Sequence, residues 1–264
     1  VASFGLAPGN VTRVVDADPW YFVLDGRVVW MHLTGTGELV DHAVLPGAYD
    51  AAWDAGRSVL VVAGGESVSV LSAGDSGLTV RGFLAAPRDE LMRVVVSGDY
   101  AYVANRYNRN GDSRLWVVNV ADVSAPVLAH REGTLRGTTD VALLDAEHLV
   151  TVSSSIGLAV YSLSNPEHPF LLSFTDYRTW PSTALEVDPE RRRAYVAVLR
   201  VGTITDRTPN QATLGLLADG DDLWTTDLIR VRRFDVRLPD DPIRHVYQAE
   251  RGAGPLVRLG GAPA

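Results

Sequence analysis

The 264-residue chain contains no cysteine and no lysine. The first absence removes disulfides, thiol nucleophiles and thiolate metal sites together. The second removes Schiff-base chemistry and a lysine general base, and leaves arginine as every one of the 24 basic residues. No apolar run approaches the roughly 20 residues needed to cross a bilayer, so no membrane span is predicted. No segment longer than a turn carries the apolar spacing of a helix. There is no basic stripe either: the net charge is −8, and nucleic-acid affinity depends on arginine and lysine neutralising phosphates, so nucleic acid is excluded as a partner. The first residue is Val1 rather than methionine, which fits a cleaved export signal or simple trimming.

What the sequence does contain is a 46% hydrophobic content, with 24 glycines and 14 prolines spread along its whole length. No stretch reads as a linker, so residues 1–264 are read as one domain. Short β-rich cores begin at Tyr21, Val59, Tyr100, Leu149 and Ala194, 38 to 49 residues apart. That period is the one found in propeller blades. Each core follows another strand that ends at Asp, Gly or Pro, and two more strands come after it. The prediction is an all-β fold: a single β-propeller of about five four-stranded blades, at 11–47, 48–88, 89–136, 137–178 and 179–250. The terminal strands 1–10 and 251–264 would close the ring, or form or complete a sixth blade.

Three stretches align position for position: "NVADVSAP" (119–126), "SLSNPEHP" (162–169) and "DVRLPDDP" (235–242). Asp122 or Asn165 can accept a bond from its own backbone two residues on, and the final proline opens an outer strand, where a missing N–H is tolerated. Together with "VVVSGDYAYVAN" (94–105) and "GLAVYSL" (157–163), these residues resemble the LVIVD repeat, a bacterial and archaeal β-propeller family. The likeness is specific over about a third of the chain. Val123 and Leu238 depart from the family pattern, and the first two blades lack the motif. The resemblance implies the propeller fold and an extracellular or cell-surface location, and it implies no particular chemistry.

If first strands line the axis, the connections after second and fourth strands share one face, here called the top. Two insertions fall there, residues 105–113 and 202–227, beside the inter-blade connections 131–140 and 175–182. They bring Arg106, Tyr107, Arg109, Arg131, Arg136, Tyr177, Arg178, Trp180 and Trp224 to one surface. Arginines with aromatics can bind a carboxylate or stack on a sugar or base; the same residues can equally pack loop on loop. Asp50 and Asp140 align at the top of first strands and are the candidate acid/base or metal pair. Aligned on strand starts, their counterparts are Thr12, Leu91 and about Thr183, so a full ring of acids is missing, and strand-start aspartates also commonly bond backbone amides. Asp219, Asp221 and Asp222 suggest Ca2+, which prefers clustered carboxylates, but the spacing is not that of a twelve-residue calcium loop and Asp-Gly is a common turn. The six histidines show no metal-ligand spacing. No cofactor is predicted. Two readings follow: a binding or scaffold propeller that takes a protein, small-molecule or glycan ligand on its top face, or a hydrolase or lyase acting on a sugar, lactone or small metabolite at the tunnel mouth.

Overall fold

The computed structural model describes residues 11–87, 89–108, 114–132, 137–153, 157–176, 182–188, 193–198, 215–219, 222–226, 230–235 and 243–248. Every regular element among them is a strand. Blade 1 is β1 (Arg13–Ala17), β2 (Trp20–Leu24), β3 (Val28–Leu33) and β4 (Leu39–Val44). Blade 2 is β5 (Asp50–Asp54), β6 (Val59–Gly64), β7 (Ser67–Gly74) and β8 (Gly77–Ala85). Blade 3 is β9 (Asp89–Ser97), β10 (Tyr100–Asn108), β11 (Leu115–Asn119) and β12 (Val127–Glu132). Blade 4 is β13 (Thr138–Asp145), β14 (His148–Ser153), β15 (Gly157–Ser162) and β16 (Phe170–Asp176). Each is an antiparallel meander in sequence order. The first strands β1, β5, β9 and β13 stand side by side at the inner end.

Residues 179–250 depart from the single unit predicted for them. They hold a two-stranded sheet, β17 (Ser182–Asp188) with β18 (Arg193–Val198), followed by a complete four-stranded sheet. That sheet comprises β19 (Gly215–Asp219), β20 (Asp222–Thr226), β21 (Arg230–Asp235) and β22 (Ile243–Gln248). The stretch 202–227, predicted as a loop, therefore contains the hairpin β19–β20. Its strands are only five residues long, with two residues, 220–221, between them, so their alternation is too brief to read as strand against the polar residues around it. The inner row continues β13, β17, β19, giving six sheets among the described residues, in the arrangement of a β-propeller.

Sheets packed face to face explain the near-continuous apolar strands, because alternate residues go to opposite neighbours. In β6, Leu60 and Val62 join the core between blades 1 and 2, whereas Val59, Val61 and Ala63 join the core between blades 2 and 3. In β10, Ala101 and Val103 face blade 2 while Tyr102 and Ala104 face blade 4. There is one hydrophobic cluster for each interface, from blades 1–2 to blades 4–5.

The aligned motifs lie where blades meet. Asp122 Oδ1 accepts bonds from Ser124 N at 2.9 Å and Ser124 Oγ at 2.6 Å, which closes the β11–β12 turn. This turn docks on β8 of blade 2, where a Cβ on Gly82 would overlap the Val123 carbonyl and the Pro126 ring. From the β5–β6 turn, Arg57 donates to the Val120 carbonyl at 2.8 Å and the Gly98 carbonyl at 2.7 Å. The second copy is held the same way from blade 3, where Tyr102 Oη donates to the Pro166 carbonyl at 2.9 Å. Burial pushes the Tyr102 hydroxyl up to about 12, so it remains a donor throughout the neutral range.

Two substitutions measure this docking by urea denaturation. Gly82→Ala should cost about 2 kcal/mol, because backbone and a proline ring stand against the new methyl group. Gly74→Ala, with nothing within 4 Å of its Cβ, should stay within about 0.5 kcal/mol of the parent. Tyr102→Phe should cost about 1 kcal/mol through the bond lost to Pro166.

Candidate functional site at the tunnel mouth

Asp50 and Asp140 meet at the top of the inner strands through a residue missing from the predicted set, Arg93. Arg13 Nε lies 3.0 Å from Asp50 Oδ1. Arg93 Nη1 lies 4.0 Å from the same oxygen, and Arg93 Nε lies 3.6 Å from Asp140 Oδ1. Around the axis the order is Arg13, Asp50, Arg93, Asp140, one residue from each of the first four blades. The acids also reach forward. Asp50 Oδ2 accepts from Val94 N of blade 3 at 2.8 Å, and Asp140 Oδ2 accepts from Leu185 N of the β17–β18 sheet at 2.9 Å. Asp140 Oδ1 takes the Val141 amide at 2.8 Å. Each acid thus fastens its own inner strand to the next.

Exposure divides by charge. The Asp50 side chain is 2% exposed and that of Asp140 9%, whereas Arg13 keeps 41% and Arg93 23%. Arg93 is flanked by both acids and still keeps part of its side chain in solvent. Burial works to lower its pKa, and Asp140 and Asp50 outweigh that and hold it above its ordinary value. For Asp140, burial comes first and lifts the carboxyl above its ordinary value, against the pull of Arg93 and of the Leu185 amide. Among the described residues neither Arg13 Nε nor Asp50 Oδ1 has a hydrogen-bond partner; their contact is an ion pair without hydrogen-bond alignment.

The arginines were legible in principle. Counted back from the end of each first strand, Arg13, Asp50 and Arg93 all stand four residues before the last one, and Asp140 stands five before, with a register shift between Leu143 and Asp145. Alignment on strand starts pairs the acids with Thr12 and Leu91 instead, because the strands begin at different heights. Alignment on strand ends, corrected for the bulge, yields the alternation Arg, Asp, Arg, Asp.

The other predicted residues are not brought into this cluster. Arg106 and Tyr107 are not in a loop: β10 runs on through Asn108, with Tyr107 opposite Glu90. The buried pair Asn105 and Asp89, bonded at 2.6 Å, supports that extension. Arg131 lies on β12, its guanidinium 4.6 Å from the centre of the Trp116 ring, a packing role within blade 3. Trp224 lies on β20 opposite Leu217, and Asp219 and Asp222 face each other across the β19–β20 turn, the position of paired residues flanking a hairpin. Arg109, Arg136, Tyr177, Arg178, Trp180 and Asp221 lie outside the described residues. Among the described residues there is no group of three or more His, Asp or Glu placed to hold a metal, and no helix is long and apolar enough to cross a membrane.

The class of protein is therefore an all-β propeller whose described tunnel mouth carries alternating charges. No family model matches the chain, and no curated protein does. Among solved structures, it is similar to the β-propeller domain of Cps50 (Swd1) from Myceliophteria thermophila, with a TM-score of 0.74 at 9% identity over 95% of this chain and 90% of that one. It is similar to hydrazine synthase of Kuenenia stuttgartiensis, with a TM-score of 0.67 at 14% identity over 96% and 92%. It is also similar to Sqt1 of Saccharomyces cerevisiae, with a TM-score of 0.67 at 10% identity over 94% and 77%. At such identities the likeness establishes the fold.

Two measurements probe the charged row. Arg93→Met leaves two inward carboxylates without their shared cation and should cost about 3 kcal/mol in urea denaturation, the low end for a broken buried pair because Arg93 is partly exposed. The raised pKa of Asp140 sets a sign: the folded state holds this proton more tightly than the unfolded one, so stability falls as pH rises from 3.8 through the folded value. The shifted aspartates Asp25, Asp41, Asp122 and Asp145 are all lowered and act below that window. Relative to Asp140→Asn, the parent should lose stability on going upward from pH 3.8, as read from denaturation midpoints at successive pH values.

Proposed function

We propose that this propeller is a binding or scaffold module whose top face takes a carboxylate-bearing ligand or an acidic segment of a partner protein. The observation that carries the reading is the division of exposure at the tunnel mouth: acids inside, guanidinium groups outside. In a chain of net charge −8, the solvent-facing chemistry at this point is cationic. Guanidinium groups offer several donors in a fixed plane and suit carboxylates better than a point charge does. Asp50 and Asp140 hold them in place and limit the side-chain entropy that binding would otherwise cost.

The hydrolase or lyase reading asks a carboxylate to move a proton at a substrate. Both inward acids are instead committed to amides of the next blade, which supports a structural role for them. Propellers host both activities and scaffolds, so this weighing rests on the site and not on the fold.

Titration with a fluorescent tetraglutamate peptide at low ionic strength tests the reading. Binding is expected, weakened at least tenfold by Arg13→Glu and strongly by added salt, with no binding of maltoheptaose. Turnover of a chromogenic glycoside or lactone that disappears in Asp140→Asn would overturn it.

A further inference from the structure

The charged row at the tunnel mouth changes character after Asp140. Two registers agree on the next position of the row, which lies on β17. Counted back from the strand end as for Arg13, Asp50 and Arg93, the residue four before Asp188 is Ala184. The amide bonds give the same residue: Asp50 takes the Val94 amide and Asp140 takes the Leu185 amide. The residue before the first amide is Arg93, and the residue before the second is Ala184. On β19, which follows β17 in the inner row, the position four before Asp219 is Gly215. Arginine, aspartate, arginine and aspartate are thus followed by alanine and glycine, neither of which carries a charge.

The two acids consequently differ in their cations. Asp50 stands between two, Arg13 at 3.0 Å and Arg93 at 4.0 Å. Asp140 has Arg93 at 3.6 Å, and among the described residues no second cation pairs with it. The difference is felt at its carboxyl, where burial outweighs Arg93 and holds the group above its ordinary value. An opposite charge within ion-pair distance favours the ionised form, so a second cation beside Asp140 is stabilising. Such a cation can arrive from solvent. Arg13 keeps 41% of its side chain exposed and still lies 3.0 Å from Asp50, which is only 2% exposed; Asp140, at 9%, is less deeply covered.

We propose, resting on the top-face carboxylate site, that its ligand is zwitterionic: an α-amino acid whose ammonium group sits beside Asp140, where a third arginine would continue the row. Its carboxylate meets the Arg93 and Arg13 guanidinium groups, which suit that group by shape and charge. Arg93 and Asp140 are direct neighbours, so the two charges of the ligand have to be close together, as they are on either side of one α-carbon. The bound ligand then extends the alternation of charges by one step in each sign. A dicarboxylate without an amine offers Asp140 no partner and brings a second negative charge toward it. A ligand whose amine stands several methylene groups from its carboxylate cannot serve adjacent partners.

Calorimetric titration of the whole protein at neutral pH and low ionic strength compares L-glutamate with glutarate, which keeps both carboxylates and lacks only the amine. Glutamate should bind at least tenfold more tightly, whereas a purely cationic mouth would favour glutarate for its larger negative charge. 4-Aminobutyrate, which holds its amine apart from its carboxylate, should bind at least tenfold more weakly than glutamate. Ala184→Arg supplies the cation from the chain itself. It should raise the denaturation midpoint, lower the titration midpoint of the Asp140 carboxyl carbon in NMR spectra, and abolish the preference for glutamate. Should that variant misfold, the comparison in the parent decides alone. Glutarate binding as tightly as glutamate, or a preference undiminished in folded Ala184→Arg, would overturn the zwitterionic ligand and leave the carboxylate site standing. Binding of tetraglutamate with neither small ligand bound would overturn it too. Failure of tetraglutamate, glutamate and glutarate alike would remove the carboxylate site itself, and the zwitterionic ligand with it.

Discussion

Everything in this molecule depends on one requirement: a sheet that is apolar on both faces must be covered on both. A sandwich satisfies this for one face of each sheet. Radial repetition satisfies it for both, because every blade covers the next. The strands accordingly send successive residues to different neighbours, as Leu60 and Val61 do. The same requirement explains the rim. Turns that close one blade are anchored to the blade before it, by Arg57 and Gly82 for the first motif copy and by Tyr102 for the second.

At the inner end the packing problem is different, because inner strands of neighbouring blades approach each other without sharing a hydrogen-bond ladder. Amides that face a neighbouring strand still need acceptors. Asp50 and Asp140 supply them, and the cost of burying their charge is offset by arginines on the adjacent blades. The side chains sort by length. A short carboxylate can reach a backbone amide only from inside, whereas a long guanidinium can pair with it and still extend into open space. A structural device for joining blades thereby leaves arginine as the group that an approaching ligand meets.

Much of this was readable from residues alone, within limits that have physical causes. The meander of blades 1 to 4 and the turn chemistry of Asp122 and Pro126 follow from alternation, turn residues and period. The β19–β20 hairpin is not legible locally, because five-residue strands around "DGDD" carry too few apolar positions to outweigh their polar setting. Arg106 and Tyr107 read locally as loop because asparagine and arginine are poor strand signals, and the strand persists there through the buried Asp89–Asn105 bond. Asp50 and Asp140 stand out by position in the sequence, whereas their partners Arg13 and Arg93 are hidden by strands that start at unequal heights and by the bulge near Leu143.

The sequence by itself determined the class of fold, since period, alternation and turn residues are local properties written into consecutive positions. It also determined what the rim motif is for, because a turn's chemistry lies within a few residues. Only the tertiary structure decided which charges meet at the tunnel mouth, because Arg13, Asp50, Arg93 and Asp140 are separated by whole blades and come together through strand height alone.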